Sequence, residues 1–467
     1  MAEEGTAPPK ATFLRSFLVT ASMFPLYICL GALIGQSAGM LPQLLEEDST
    51  IHINKKQATW IASLPTIGTC MSSAASGYLS DLFGRIRVVQ AAYSFFAIGF
   101  ATMMAADSFM LLALGRFLAG IGMGCHFSGN VYLSEVTPPK YRGALLTLNS
   151  VLCSCGLVYV YIVGGYYPWY IAAAATCLIS IIGLTLTFSL YDSPVWLVRQ
   201  NRLRTAAKSL RLVEISSNVE TKLRRLQETA ENHPKTDFTW RILAEPSVWK
   251  PFVMILALSI LQNTSGFCII IAYTVQFMWE FHSAYDPLHV TVAIGVMRLL
   301  AILVSFVLFQ HFGRKTIGAL SGFGAAIFLL GVYGYLTFAP RVQLLSENQW
   351  IPIVLFLAFI FTSSLGIYPL PWILPFELFP IKVRGMMCGA CLCALYLNTF
   401  VAVMLYYVLI DNLRLGGTIL LFAAGSALFG VFSMTLLVET HRRTLDDIEC
   451  TFASGRFHGS VYWIFCS

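Results

Sequence analysis

Two arginine and glutamate constellations stand out of an apolar chain and repeat at one spacing. Gly84-Arg85 is followed by Glu135 and then Arg142-Gly143, while Gly313-Arg314 is followed by Glu377 and then Arg384-Gly385. The interval from the glutamate to the second arginine is identical in both. Charge in a hydrophobic protein is costly, so charge repeated at one register points to a mechanism and to an internal duplication. The chemistry on offer is non-covalent: carboxylate and guanidinium groups at helix ends can pair when those ends meet and must part when they separate, biasing an equilibrium between two shapes. No clustered acid, base, nucleophile or metal spacing accompanies them, which speaks against an enzyme. Cys388, Cys391 and Cys393 sit at metal-like intervals, but no His or carboxylate joins them, and they read as small packing residues. No cofactor is expected.

The elements that must carry these charges follow from composition. The chain has 467 residues, 57% of them hydrophobic and only 12% charged, with a mean hydropathy of +0.70. This excludes a soluble globular protein and predicts an integral membrane protein. A bilayer core needs roughly 20 apolar residues per helix, and about twelve such stretches can be read. They run near 17–40, 58–80, 87–106, 109–131, 144–165, 169–190, 251–277, 289–309, 316–339, 351–376, 386–410 and 415–438.

Orientation follows from the basic residues, because Lys- and Arg-rich loops stay cytoplasmic. Arg85, Arg87, Lys140, Arg142, Arg314, Lys315, Lys382 and Arg384 fall in the even-numbered connections, with many more between 192 and 250; only Lys55, Lys56, Arg341 and Arg414 fall opposite. Both termini are therefore expected inside. The net charge of +6 reflects this asymmetry rather than a nucleic-acid footprint. No cleavable leader is evident, so the first stretch would be its own anchor. None of the 12 Cys falls in a predicted external loop, so disulfide staples are not expected. The glycosylation-like Asn263-Thr264-Ser265 lies within a span and is discounted.

The chain divides into residues 1–191, a first six-helix bundle; 192–250, a charged linker with amphipathic segments at 201–214 and 219–231; 251–440, a second bundle; and 441–467, a tail.

The ordered motifs resemble those of the sugar porters of the major facilitator superfamily across nearly the whole chain. They are Asp81 with Gly84-Arg85, Gly115-Arg116-Phe117, Glu135 with Pro138 and Arg142-Gly143, Asp192-Ser193-Pro194, and Gln262 with Ser265-Gly266. The series continues with Gly313-Arg314-Lys315, Pro369-Leu370-Pro371-Trp372, Glu377-Leu378-Phe379-Pro380 and Glu439-Thr440 with Thr444-Leu445. Tyr273-Thr274-Val275-Gln276 and short external loops are most similar to the insect branch that includes facilitated trehalose transporters.

The resemblance implies an all-α membrane fold of twelve spans in two pseudo-symmetric six-helix bundles, rocking around a central site in the plasma membrane. Asp81, Gly84, Arg85, Glu135 and Arg142 would gate the first half, and Gly313, Arg314, Glu377 and Arg384 the second, with Asp192 and Glu439 closing the bundle ends. Anchoring of loops at the lipid surface is the alternative, but it explains Lys and Arg without their partnered Glu. Pro369, Pro371 and Pro375 should break the tenth helix, and Gly266 marks a second break in the seventh.

Family site positions would be Gln262, Asn263, Tyr273 and Trp372, whose ring could stack on a sugar. Here the chain departs from the family. A glutamine position in the fifth helix reads Ser150, an asparagine in the seventh reads Cys268, an asparagine in the eighth reads Arg298, and an asparagine-tryptophan pair in the eleventh reads Leu395-Tyr396. Arg298 must find a partner: carbonyls of an irregular seventh helix, the lipid surface by snorkelling, or cargo. Arg116 belongs to a family motif and reads as structural. Where proton-coupled relatives carry an aspartate, this chain has Ser37, which favours facilitated diffusion. His126 reads as a packed histidine rather than a relay. The expected function is a facilitative carrier of a hexose or a trehalose-like sugar. A carrier of a small organic anion or polyol using Arg298, or a non-transporting sensor, stays open. The expected partners are a small-molecule substrate and lipid, with no nucleic acid.

Overall fold

The computed structural model describes residues 10–46, 49, 51–137, 139–213, 219–232, 244–279, 285–338, 348, 350–380, 383–441, 443, 447 and 451–452, with backbone alone for 10–14, 139–144, 213, 229–232 and 384–385. The described residues build helices and connecting turns. The first half comprises α1 (Lys10–Ala21), α2 (Phe24–Leu45), α3 (Lys55–Phe83), α4 (Arg85–Met104), α5 (Phe109–Cys125), α6 (Phe127–Val136), α7 (Pro139–Tyr166) and α8 (Trp169–Thr187). Three short helices follow, α9 (Pro194–Arg199), α10 (Leu203–Val213) and α11 (Val219–Asn232). The second half comprises α12 (Pro246–Thr264), α13 (Phe267–Ala272), α14 (Thr274–Trp279), α15 (Pro287–His311), α16 (Arg314–Phe338), α17 (Trp350–Leu365), α18 (Leu370–Leu378), α19 (Arg384–Met404) and α20 (Tyr406–Thr435).

Ten of these segments are long and apolar enough to cross a bilayer. The expected second and seventh spans are missing from that set for physical reasons. The second, α3, is rich in Ser and Thr, but the hydroxyls of Thr59, Ser63, Thr69 and Ser72 donate to carbonyls four residues back in their own helix. These hydroxyls are satisfied within the helix, so low hydropathy does not forbid an apolar setting. The expected seventh span is divided into α12, α13 and α14. Gly266 takes φ +79° at the first division, and a Cβ there would run into the ring of Phe422. Gly266→Val is therefore expected to lower the unfolding temperature of the detergent-solubilised protein, through left-handed strain of ~1–3 kcal/mol plus that clash; an unchanged midpoint would contradict this.

The tenth span breaks as the prolines require, α17 ending at Leu365 and α18 starting at Leu370. Two breaks were not expected. The first span bends between α1 and α2, and the fourth between α5 and α6 at His126. The start of α3 is fixed by a reciprocal cap: Gln57 N–H donates to Asn54 Oδ1 at 2.8 Å, and Asn54 N–H to Gln57 Oε1 at 3.0 Å.

Outward faces carry apolar stripes at helical spacing. Leu178, Ile181, Ile182 and Leu186 on α8, and Leu300, Leu303, Val304 and Val307 on α15, are exposed. Such surfaces call for lipid. The linker is not a passive tether. Trp196, Leu197, Val198 and Ala206 form a small core of their own with Leu203, Leu223 and Leu226. Trp196 Nε1 donates to Asp81 O at 2.9 Å, and Ser209 Oγ to Asp192 O at 2.8 Å, which fastens α9 and α10 to the first charged cluster.

Candidate functional site

The two charged clusters prove to be copies of one arrangement. In the first half Arg85 Nε and Nη2 reach Glu135 Oε2 and Oε1, each at 3.2 Å, while Nη1 reaches Asp81 Oδ1 and Ser80 O, each at 2.9 Å. In the second, Arg314 Nη2 and Nε reach Glu377 Oε1 and Oε2 at 2.8 and 3.3 Å, and Nη1 reaches Phe309 O at 3.0 Å. Both are two-point guanidinium-carboxylate pairs, the geometry that a lysine cannot reproduce.

The backbone repeats the duplication. Arg85 N–H donates to Asp192 Oδ1 at 2.9 Å, and Arg314 N–H to Glu439 Oε1 at 2.8 Å. These carboxylates explain the preceding glycines: a Cβ on Gly84 would lie 2.9 Å from Asp192 Cγ, and one on Gly313 2.7 Å from Glu439 Cδ. Burial pushes the Asp192 carboxyl up, against the N–H donors of Ser193 and Arg85 that favour its charged form. Thr440 Oγ1 adds a 2.5 Å bond to Glu377. Among the described residues, the arginine pairs of these clusters join helices within one half, not across the halves. Arg142 and Arg384 lie in the first turns of α7 and α19, where side chains are outside the described residues; Lys382, Thr444 and Leu445 are outside them altogether.

The second feature is a polar cluster at the break of the tenth span. Breaking a helix frees backbone groups that apolar surroundings cannot satisfy. Here Ser321 Oγ accepts from Gly366 N and Ile367 N at 3.2 and 2.9 Å, Ser305 Oγ donates to Leu365 O at 2.8 Å, and Gln262 Nε2 donates to Ile367 O and Tyr368 O at 3.1 and 2.9 Å. Gln262 is thus fixed by one end of its amide, and its Oε1 has no partner among the described residues. Tyr368, held there, presents its ring 4.7 Å from the guanidinium of Arg298 on α15. Arg298 is fully buried, so it does not snorkel, and no carboxylate among the described residues pairs with it; its charge is felt by Tyr368, Cys153, Tyr161 and Cys268. Trp372 on α18 lies 4.9 Å from the Tyr396 ring on α19. Asn263 Nδ2 donates to Ser259 O, whose Oγ accepts from Asn398 Nδ2 at 3.0 Å.

Among the described residues, Gln262 Oε1, Trp372 Nε1, and Nε and Nη1 of Arg298 are buried without a partner in this set, with Asn263 Oδ1 a helical step away; elsewhere both amide atoms of Gln36 on α2 and of Gln276 on α14 are unpartnered as well. Each such atom costs ~1–3 kcal/mol when nothing pairs with it, so their concentration marks a place prepared for a polar guest.

Links between the halves run from the face opposite the arginine clusters to the middle of the molecule. Lys55 Nζ and Asp411 Oδ1 are 3.8 Å apart, Trp60 and Phe400 rings 6.1 Å, Ser63 Oγ and Met404 Sδ 3.2 Å, and Cys70 Sγ and Cys393 Sγ 3.0 Å. Tyr161 OH donates to Ile271 O at 3.0 Å, tying α7 to α13.

The candidate residues divide accordingly. Gln262, Cys268, Arg298, Trp372 and Tyr396 come together around the α17–α18 break, with Asn263 one helical step away. Tyr273 does not join them: its ring stacks on Tyr406 at 4.1 Å in the closed face. Ser37 is turned to Arg116, which also donates to Ile61 O at 3.0 Å and Leu33 O at 3.2 Å. Ser150 is exposed. Its neighbour Asn149 is the buried polar residue, donating to Asn130 Oδ1 at 3.0 Å beside Tyr27. His126 is packed, its ring 4.0 Å from Phe127. Gln36, Gln276 and Asn149 are buried amides that were not among the site candidates; the available signal was an uncharged amide inside an apolar span.

A helical membrane protein whose similar halves meet around unpaired polar groups, with paired charges on one face, has the build of a carrier. The chain belongs to the sugar (and other) transporter family, whose profile matches residues 20–452. It is 28% identical over 472 residues to mouse solute carrier family 2, facilitated glucose transporter member 6, covering 97% of this chain and 93% of that one. It is 26% identical over 468 residues to the facilitated trehalose transporter Tret1 of Bombyx mori, covering 97% and 90%. Its fold matches the proton:xylose symporter XylE bound to 6-bromo-6-deoxy-D-glucose, with a TM-score of 0.76 at 19% identity over 94% of this chain and 100% of that one. The inward open xylose transporter XylE from E. coli gives a TM-score of 0.75 at 19% identity over 93% and 99%. The protein is accordingly a multi-pass membrane carrier of the major facilitator fold, and not an enzyme.

Proposed function

We propose that this chain carries a sugar of hexose or trehalose-like size down its gradient by alternating access. The observation that supports it most is the set of unpartnered amide and indole atoms of Gln36, Gln262, Asn263, Gln276 and Trp372, donors and acceptors suited to neutral hydroxyls. In this reading residues 1–191 and 251–440 are the moving bundles, 192–250 the linker and 441–467 the tail. Both termini face the cytoplasm and the membrane is the plasma membrane. The Arg85–Glu135–Asp81 and Arg314–Glu377 clusters, with Gly84, Gly313, Asp192 and Glu439 shaping their backbones, brace the cytoplasmic ends as each bundle rocks; Arg142 and Arg384 are assigned to the same gate. The closed links from Lys55–Asp411 to Cys70–Cys393 then correspond to a carrier shut on the outside.

Relatives named as facilitated glucose and trehalose transporters support the cargo class. Ser37, engaged by Arg116, supplies no proton relay. Counterflow of labelled glucose and trehalose into liposomes containing the purified protein tests the reading. Saturable flux that changes by less than about twofold when a pH gradient is imposed is expected, since no titrating carboxylate sits in the central cluster. Flux that requires the gradient would overturn the facilitative mode, and absence of both glucose and trehalose flux would overturn the assignment of a neutral hexose or trehalose-like cargo.

A further inference from the structure

The molecule holds two fully buried arginines with opposite surroundings. Arg116 is spent on structure: Nε donates to Ile61 O, Nη1 to Leu33 O and Nη2 to Ser37 Oγ. Arg298 is left open. Its Nε and Nη1 have no hydrogen-bond partner among the described residues, and its electrostatic neighbours, Tyr368, Cys153, Tyr161 and Cys268, are all neutral groups. Tyr368 offers its ring at 4.7 Å and a side-chain hydrogen bond, both from a neutral group, and these offset only part of the desolvation of a guanidinium. Arginine does not shed its proton in proteins, so neutralising itself is no escape. A lasting cation without a counter-charge among the described residues is therefore placed against Tyr368, whose carbonyl is held by Gln262, and Gln262 Oε1 is itself open where cargo is bound in the proposed function.

We infer that the cargo carries a carboxylate: the site takes a sugar acid, a polyhydroxyl ring whose anionic group accepts hydrogen bonds from Arg298 while its hydroxyls use the amides. The inference rests on the sugar-carrier reading and narrows it. The anion supplies the missing counter-charge, and charge-assisted hydrogen bonds to it are about twice as strong as neutral ones. A neutral sugar in the same place leaves the guanidinium unpaired. A second consequence concerns voltage. Cargo and Arg298 cross together as a neutral pair, and the empty carrier returns with the cation alone, so sugar-acid uptake moves net charge and responds to membrane potential.

The test uses the full chain in proteoliposomes, with labelled D-glucuronate and D-glucose in separate counterflow assays and each as competitor of the other. D-Glucuronate is expected to be preferred over D-glucose by about 10- to 100-fold in kcat/KM, the factor that one charge-assisted hydrogen bond supplies. Its uptake should accelerate under an inside-positive potential set with valinomycin and potassium, while glucose flux should not. Arg298→Gln should abolish the preference and raise glucose flux, and Arg298→Lys should keep part of it. If neither variant folds, the wild-type protein still decides: glucuronate should raise its unfolding temperature more than glucose does at equal concentration. Glucose flux without glucuronate binding or flux would overturn the inference and leave the carrier reading standing; absence of flux of either sugar would overturn both.

Discussion

Arg85→Lys is expected to cut sugar flux by about 10-fold or more at equal protein in the membrane, because two of the charge-assisted bonds it would break are each of order 1.5–3 kcal/mol. The guanidinium reaches Glu135 at two points, Asp81 at one and the Ser80 carbonyl at another, with a side chain only 5% exposed. One ammonium cannot occupy those positions together. Glu135→Gln should be as damaging, since it strands a buried guanidinium without its main counter-charge. The competing idea is that these charges only anchor loops at lipid headgroups. Lysine serves that purpose as well as arginine, and Glu135 serves it not at all, so full flux in Arg85→Lys would favour anchoring. Arg314→Lys should show a milder form of the defect: Arg314 and Glu377 are 15% and 24% exposed, against 5% and 17% for Arg85 and Glu135, so water screens the second cluster more.

The clusters were legible in the sequence because helix registers fix charge spacing, and a duplicated register foretells duplicated geometry. What spacing could not reveal is which carboxylate does which work. Asp192 and Glu439 act on backbone N–H groups rather than on side chains, a role visible only once Gly84 and Gly313 are seen pressed against them. The breaks at Gly266 and at the Pro369–Pro371 segment were equally legible, since positive φ and missing donors are local properties. The bend at the α5–α6 junction carries no proline and was not foreseen; that at the α1–α2 junction, with Pro25 in the first turn of α2, carried a signal that went unread.

The site was legible only in part. The seventh-helix pair Gln262-Asn263, Arg298 and Trp372 fall where motif order places them. Yet the amide of Gln262 spends its donor end on the carbonyls of Ile367 and Tyr368, a contact across 105 positions that no local pattern encodes. Ser150 is exposed, and the neighbouring Asn149 is the buried amide of that turn. Tyr273 stands at the closed face instead, among Tyr406 and Tyr407, because the division of the seventh span at Gly266 and again near Tyr273 redirects the chain. Cys393, read as a small packing residue, meets Cys70 only because α3 and α19 from opposite halves lie side by side.

That meeting gives the most direct test of the central claim, that the halves part along α3 and α19 in every transport cycle. The two sulfurs are 3.0 Å apart, one in each half. Copper-phenanthroline in air should oxidise the pair, each thiol losing one proton and one electron to oxygen, and peptide mass spectrometry should report the linked Cys70 and Cys393 peptides. Transport needs both shapes, and a covalent link holds one, so flux should fall below about one tenth of the untreated rate. Dithiothreitol should restore it, and Cys70→Ser should be unaffected by the oxidant. Complete cross-linking with undiminished sugar flux would contradict the account.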